Sequence, residues 1–98
     1  MNYVKKHITP EQKLLLVLCD DDILGRRFEE GDIQLDLSSE FYKGCPMNNK
    51  ETATLIRRAY AINAVGEHAV ALCIQEGVVE KTRVNTVMGI PYAQMVRF

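Results

Sequence analysis

The chain has 98 residues, of which 47% are hydrophobic and 26% are charged, and its net charge at pH 7 is −1. This length predicts a single domain, residues 1–98, with one thin hydrophobic core. The absence of a basic excess argues against a protein that binds nucleic acid over most of its surface, because phosphate contacts dominate the affinity of such proteins.

The three cysteines and the polar N-terminus indicate in which cellular compartment the protein is located. Cys19, Cys45 and Cys73 have no paired spacing, which argues against a disulfide framework and a structural zinc site. The longest apolar run, Leu14–Cys19, is far shorter than the ~20 residues that span a bilayer, and no signal-peptide core precedes it. We therefore expect a cytoplasmic protein without membrane attachment, metal or cofactor.

The N-terminal third of the chain predicts a hairpin. Tyr3–His7 and the continuously apolar Leu14–Cys19 are typical of two strands around a turn at Pro10, with the second strand buried on both faces. An aspartate at the end of that strand is expected to cap a short helical segment that ends at Gly25.

The next segment predicts one further strand. Residues 28–32 indicate a polar link closed by a Gly-Asp turn. Ile33, Leu35 and Leu37 then alternate with polar residues, which is typical of a strand with one face in water. Residues 38–49 are predicted to be irregular, because Gly, Pro and Asn interrupt them.

A helical region is predicted to begin at Asn49 as its N-cap and to end at Gly77. Apolar or small residues recur there at spacings of three and four, namely Leu55, Ala59, Ile62, Gly66, Ala69 and Cys73. Two structures fit this stripe. One is a single long helix that is kinked at Gly66, and the other is a pair of helices that meet near Gly66.

The last residues predict two strands, Arg83–Val87 and Tyr92–Phe98, around a loop in which Pro91 should lie at a sheet edge or outside the ladder. The fold class expected is α+β: a small, mostly antiparallel sheet of four to five strands with a helical pair, or one long kinked helix, on one face. A parallel βαβ sheet is not favoured, because repeated alternation of strands and helices is missing.

Two segments carry the first candidate site residues. Asp20, Asp21 and Asp22 could hold Mg²⁺, but consecutive residues of a strand cannot all point one way, and the alternative is a helix cap with two solvated acids. Phe41 and Tyr42 lie beside a lysine, where aromatic rings stack on bases or on a partner. We expect one of these two rings to anchor its loop and the other to be exposed.

Two further segments carry polar groups. Asn63 and Glu67 would share one side of a helix, whereas His68 would point to the other side, which makes Glu67 and His68 poor partners for acid–base chemistry. Gly89–Gln94 contains Pro91 and predicts a rigid loop that is able to position a ligand, or alternatively a plain hairpin turn.

Four segments in this order resemble a short archaeal family, known as domain of unknown function 424. Cys19–Gly31 resembles its Asp-acid-acid-Leu-Leu-Gly-basic-basic-Phe element, and Phe41–Gly44 its Phe-Tyr-x-Gly element. Asn63–Glu67 is similar to its Asn-x-x-Gly-Glu element, and Gly89–Gln94 to its closing Gly-aliphatic-Pro-His-Ala-Gln. Tyr92 stands where the family pattern has His, so a binding role is kept better than a general-base role. The resemblance implies an archaeal cytoplasmic protein near translation or RNA handling and brings no established activity.

Three functions remain open. The leading hypothesis is a non-catalytic binding module that engages RNA or a ribonucleoprotein or translation partner. It predicts that five basic residues lie on one face, namely Arg26, Arg27, Lys43, Arg57 and Arg58. The second is a small enzyme whose polar pocket requires four residues to converge, namely Asp20, Asn63, Glu67 and Tyr92. The third is a structural homodimer that pairs through an open sheet edge or a helix face.

The candidate binding residues come from the four segments that resemble the family. They are Asp20, Gly25, Phe41, Tyr42, Asn63, Gly66, Glu67, Pro91, Tyr92 and Gln94. No catalytic residue and no metal ligand is assigned, and whether the protein is an enzyme stays open.

Overall fold

The computed structural model describes residues 2–97. Its elements, in chain order, are strands β1 (Asn2–Ile8), β2 (Leu14–Asp20), β3 (Arg27–Glu30), β4 (Ile33–Asp36) and β5 (Cys45–Met47), helix α1 (Asn49–Arg58), strand β6 (Ala61–Val65), helix α2 (Glu67–Gln75), and strands β7 (Asn85–Val87) and β8 (Ile90–Val96). Short 3-10 helices cover Glu40–Tyr42 and Lys81–Arg83. No helix within this part of the chain is long and apolar enough to cross a bilayer.

Six strands form one sheet in the order β5-β1-β2-β6-β8-β7, and β3 and β4 form a separate hairpin. The α+β class and the mostly antiparallel sheet are therefore confirmed, but the sheet has six strands rather than four or five. The central pair, β2 and β6, is parallel, and the other neighbours are antiparallel. A parallel pair needs a long crossover, which here includes α1.

The prediction of helix over residues 61–65 was wrong, because these residues form β6. Helix α1 ends at Arg58, and Ala59 already has an extended backbone with ψ of 140°. The two helices do not meet at Gly66, since β6 separates them, and neither of the two predicted arrangements occurs. A stripe with spacings of three and four does not exclude a short strand that is buried on both faces, because continuous apolarity satisfies both periods.

Both helices lie on one face of the sheet, as predicted. Leu16 and Leu18 of β2 and Ile62 of β6 belong to the main core, together with Ile56 of α1 and Cys73 of α2. Because side chains alternate along a strand, the even-numbered residues of β2 and β6 face the helices and the odd-numbered residues face the opposite side.

The β3–β4 hairpin covers part of the opposite face. Phe28 of β3 and Leu37, which follows β4, pack against Cys19 and Val65 in a second core. The alternation at Ile33–Asp36 correctly predicted a strand, but this strand lies outside the main sheet. The predicted polar link at residues 28–32 contains β3 and the hairpin turn at Gly31, whose φ is 59°.

The strand β7 is shorter than predicted, and β8 begins two residues earlier than predicted, whereas the predicted end at residue 98 lies outside the described residues. Pro91 lies inside β8, opposite Thr86 of β7, and not at an edge of the sheet. Its carbonyl accepts a hydrogen bond from the N–H of Gly66 at 2.8 Å. This position tolerates proline because the last β6–β8 pair is Val65 with Tyr92, so no residue of β6 needs a donor from Pro91.

The residues that cap the N-termini of the two helices differ from the predicted ones. Asn48, one residue before the predicted Asn49, caps α1 by accepting a hydrogen bond from the N–H of Glu51. Asp20 is a helix cap, but it caps α2 rather than the segment that ends at Gly25. Its two carboxylate oxygens accept hydrogen bonds from the main-chain N–H groups of His68 at 2.9 Å and Ala69 at 2.7 Å.

We expect Leu37→Ala to destabilise the protein by about 3 kcal/mol, because Leu37 is 0% exposed and its truncation leaves a cavity under the hairpin. Urea unfolding followed by circular dichroism measures this loss. Ile33→Ala in the same hairpin is the control, since Ile33 is 44% exposed, and it should cost less than about 1 kcal/mol. Equal losses for the two variants would contradict the second core.

We expect Gly66→Ala to destabilise the protein by about 3 kcal/mol. Gly66 has a φ of 109°, and a Cβ there would collide with the carboxyl group of Asp20. Gly77→Ala is the matched control, because Gly77 has a φ of 76° with open space around its Cβ position, and strain alone should cost about 1 kcal/mol. Both losses are read from urea midpoints, and a Gly66 variant no weaker than the control would show that the close approach is unimportant.

Candidate functional site

Three of the four segments that resemble the family meet at the end of β2. Asp20, Gly66 and Glu67 line a cleft of about 190 Å³ together with Asp22 and Ile90. Pro91 lies against the same turn, through its bond to Gly66. The neighbouring Gly25, with a φ of 89°, donates its N–H to the carbonyl of Leu37 at 2.9 Å and turns the chain into the hairpin.

This cleft is a structural joint more than a ligand site. The side chain of Asp20 is buried, with 8% of the residue exposed, and both of its oxygens already accept main-chain hydrogen bonds. Within residues 2–97, no group of three or more His, Cys, Asp and Glu side chains is placed to hold a metal ion. The aspartate cap therefore accounts for this part of the motif without a ligand.

The four residues of the enzyme hypothesis do not converge. Asp20 points toward the helices, where it caps α2. Asn63 and Tyr92 point to the opposite face of the sheet, since Ile62 and Ala64 belong to the main core and Tyr92 packs with the second core. Glu67 is exposed in the first turn of α2. The sheet thus separates Asn63 and Tyr92 from Asp20, and the four residues do not form the predicted pocket.

Phe41 and Tyr42 are both half-buried, so the expectation of one exposed ring was wrong. Tyr42 packs against the second core, and burial raises the pKa of its hydroxyl. Phe41 stacks on His7, with ring centroids 4.9 Å apart and an interplanar angle of 17°. The two rings therefore fasten the segment between β4 and β5 to the sheet.

The predicted basic face is not formed. Arg26 and Arg27 lie beyond the end of β2, in the hairpin on the side opposite the helices. Arg57 and Arg58 end α1 in the helix layer, where they line a cleft with Leu14 at the start of β2. The two pairs are therefore on opposite faces and about 20 Å apart along β2, at ~3.3 Å per residue. Lys43 pairs with Glu40.

The free edge of β8 brings together two of the predicted site residues, Tyr92 and Gln94. Pro91 and Arg97 form main-chain hydrogen bonds on the β6 side, with Gly66 and Tyr60. Because main-chain groups alternate in direction along an antiparallel strand, the N–H and C=O groups of Gln94 and Val96 point away from β6. On that side β7 pairs with residues 90–92, so these groups face no strand formed by residues 2–97.

A groove runs along this edge. It consists of two adjoining clefts, each of about 410 Å³, which share Arg83 and Gln94. One side has a mixed lining, with Val78, the buried Val79 and Met95 next to the charged Glu80. The other side is polar and includes Asn85 and Tyr92. The groove exists because the chain forms a 3-10 helix at Lys81–Arg83 before β7 begins. As a result, β7 pairs with residues 90–92 of β8 and leaves the later residues of β8 uncovered.

Arg83, Val78 and Val79 were not predicted from the sequence as site residues. No motif marks these residues, and their role depends on where β7 begins. The only available signal was the run of charged residues before the predicted strand at residues 83–87, which makes a long edge strand less favourable.

Two of the three thiols should not react in the folded protein. Cys19 and Cys73 are buried, and burial raises the pKa of each thiol to about 12, whereas Cys45 is exposed on β5. A disulfide-exchange reagent at pH 8 should therefore label one thiol in the native protein and all three in urea, because the thiolate is the reactive form. Cys45→Ser should remove the native reaction, and rapid labelling of two thiols without urea would contradict the fold.

The comparisons with known proteins agree with this fold. No curated protein matches the chain. A crystal structure of an uncharacterised conserved protein from Methanopyrus kandleri is similar, with 29% sequence identity and a TM-score of 0.84. The alignment covers 99% of this chain and 93% of that one. A family profile described as "Protein of unknown function (DUF424)" matches residues 7–98, which confirms the resemblance, and the chain belongs to this family.

Proposed function

We propose that the protein is a non-catalytic binding module that takes an extended segment of a protein partner as an additional strand along β8. The observation that carries the proposal is the edge at Gln94 and Val96, whose main-chain groups face a groove and no strand. Such an edge binds extended peptides through main-chain hydrogen bonds, and neighbouring pockets then select the side chains.

A protein partner fits the charges better than RNA does. RNA binding required the basic pairs to share a face, and Arg26 and Arg58 lie on opposite sides of the sheet. Within the groove, the described cation is Arg83, which lies 3.8 Å from Glu80. A phosphate chain would meet too few cations there, whereas a peptide main chain needs none.

The two sides of the groove give the segment a sequence preference. Side chains of an added strand alternate between the two faces of the sheet. On the helix side they would pack on the half-buried Val78 and Met95, which favours an aliphatic residue. On the other side they would meet Arg83, Asn85 and Tyr92, which favours an acidic or amide side chain.

The substitution Val96→Pro tests the free edge of β8 by removing one main-chain N–H group. Proline removes an N–H that points into the groove, and the bonds from β8 to β6 are kept because residue 96 does not make them. We expect peptides selected from a displayed random library against the native protein to bind this variant about tenfold more weakly, since a main-chain hydrogen bond and its neighbours are lost. Affinities are measured by calorimetry, and the site is mapped by amide shifts.

Val96→Ala is the control, because it keeps the N–H, and its affinity should stay within about threefold of the native value. Equal affinities for Val96→Pro and the native protein, or peptide-induced shifts confined to another surface, would refute strand addition. Sedimentation of the free protein adds one more outcome. A dimer that Val96→Pro dissociates would assign the edge to a second copy of the chain and replace the proposed partner.

A further inference from the structure

A second surface lies where β2 begins and β8 ends. Four cationic side chains line an open cleft of about 490 Å³, and none of its lining residues carries a carboxylate. Lys13 comes from the β1–β2 turn, Arg57 and Arg58 from the last turn of α1, and Arg97 from the residue after β8. In a chain with a net charge of −1, this is a strong local excess of positive charge.

Two of these four cationic side chains, Arg57 and Arg97, have a structural role. Arg57 pairs with Glu76 of the helix layer at 2.5 Å. Arg97 donates its Nε–H to the carbonyl of Ala59, the C-cap residue of α1, at 2.8 Å, and this bond satisfies a carbonyl that the helix leaves without a partner.

The other two cations have no such partner. Arg58 forms no hydrogen bond or ion pair with any residue in the described range 2–97. The ammonium group of Lys13 lies 4.1 Å from the centre of the Tyr60 ring, which places its charge at the cleft without neutralising it. Two cations without an ion-pair partner among residues 2–97, beside two fixed ones, form a site for an anion with several charges.

We propose that this cleft binds a run of acidic side chains in the partner protein, next to the segment that pairs with β8. The inference rests on the proposed function for the identity of the partner, and it names a further site on that partner. Two observations favour an acidic segment. Arg97 directly follows Val96, so the cleft begins where the free edge of β8 ends. The four cations match a short acidic run, while the negative remainder of the surface disfavours a long phosphate chain.

The arrangement joins two weak contacts. An acidic flank held in the cleft raises the effective concentration of the strand-forming segment at the groove, and the two contacts together bind more tightly than either alone. The positive charge of the cleft also determines the direction in which the segment binds along β8. A segment whose acidic run follows on the wrong side of its strand would place carboxylates near Asp20 and Glu67, at the opposite end of the sheet.

A labelled oligoglutamate peptide is the probe, and its binding is measured by fluorescence anisotropy at low salt. We expect Lys13→Glu and Arg58→Glu each to weaken binding roughly tenfold, because each removes an attraction and adds a repulsion. Both side chains are exposed, so the fold should be kept. Binding should also weaken as salt increases. Lys50→Glu is the matched control, since it makes the same charge change on an exposed residue at the other end of α1.

The test separates this inference from strand addition. Val96→Pro should leave oligoglutamate binding unchanged, so that a failure of the groove does not remove the signal of the cleft. An equal effect of Lys50→Glu would show attraction to overall charge and would overturn the proposal. Tighter binding of oligouridylate than of oligoglutamate, lost in Arg58→Glu, would assign the cleft to nucleic acid and would also overturn it.

Discussion

The rest of the structure depends on one carboxylate at the end of the central strand. Asp20 accepts two main-chain hydrogen bonds from the first turn of α2, 48 and 49 residues further along the chain. These bonds satisfy donors that every helix leaves open at its N-terminus. They also fix α2 above the end of β2, beside the parallel β6. Gly66 is required at the same place, because only a residue without Cβ leaves room for the carboxylate.

This joint explains why motif residues that suggested a ligand site do not form one. An acidic triplet at the end of a strand, followed in the chain by a Gly-Glu pair, is equally suited to a metal site and to a helix cap. The structure uses Asp20 for the cap, Gly66 for the close approach and Pro91 for the acceptor of the Gly66 N–H. A partner is able to bind where main-chain groups are left without hydrogen bonds within the fold, and the free edge of β8 is such a place.

The two proposed contacts rely on different kinds of interaction. Strand addition at Gln94 and Val96 relies on main-chain hydrogen bonds, which carry little sequence information. The side chains that line the groove and the cations at Lys13 and Arg58 supply the discrimination. The cleft at the far end of β2 is lined by Asp20, Asp22 and Glu67, whereas the cleft at its beginning is lined by four cations. A partner that carries an aliphatic strand and an acidic flank in the right order matches both.

Several elements were determined by local sequence. The continuous apolarity of Leu14–Cys19 predicted the buried central strand, the alternation at Ile33–Asp36 predicted β4, and the short motifs predicted the family. Each of these depends on neighbours within a few residues, where periodicity and turn chemistry act.

Tertiary structure decided the rest. Residues 61–65 became a strand because β2 and β8 offered main-chain partners on both sides, a gain that spacing within the segment does not reveal. Asp20 caps a helix far along the chain, and the separation of Asp20 from Asn63 depends on which face of the sheet each one reaches. The free edge of β8 depends on where β7 begins. Sequence by itself determined which segments are buried and where they turn. Pairing between distant segments decided what lies beside them, because main-chain hydrogen bonds between strands form across space and leave no periodic signal along the chain.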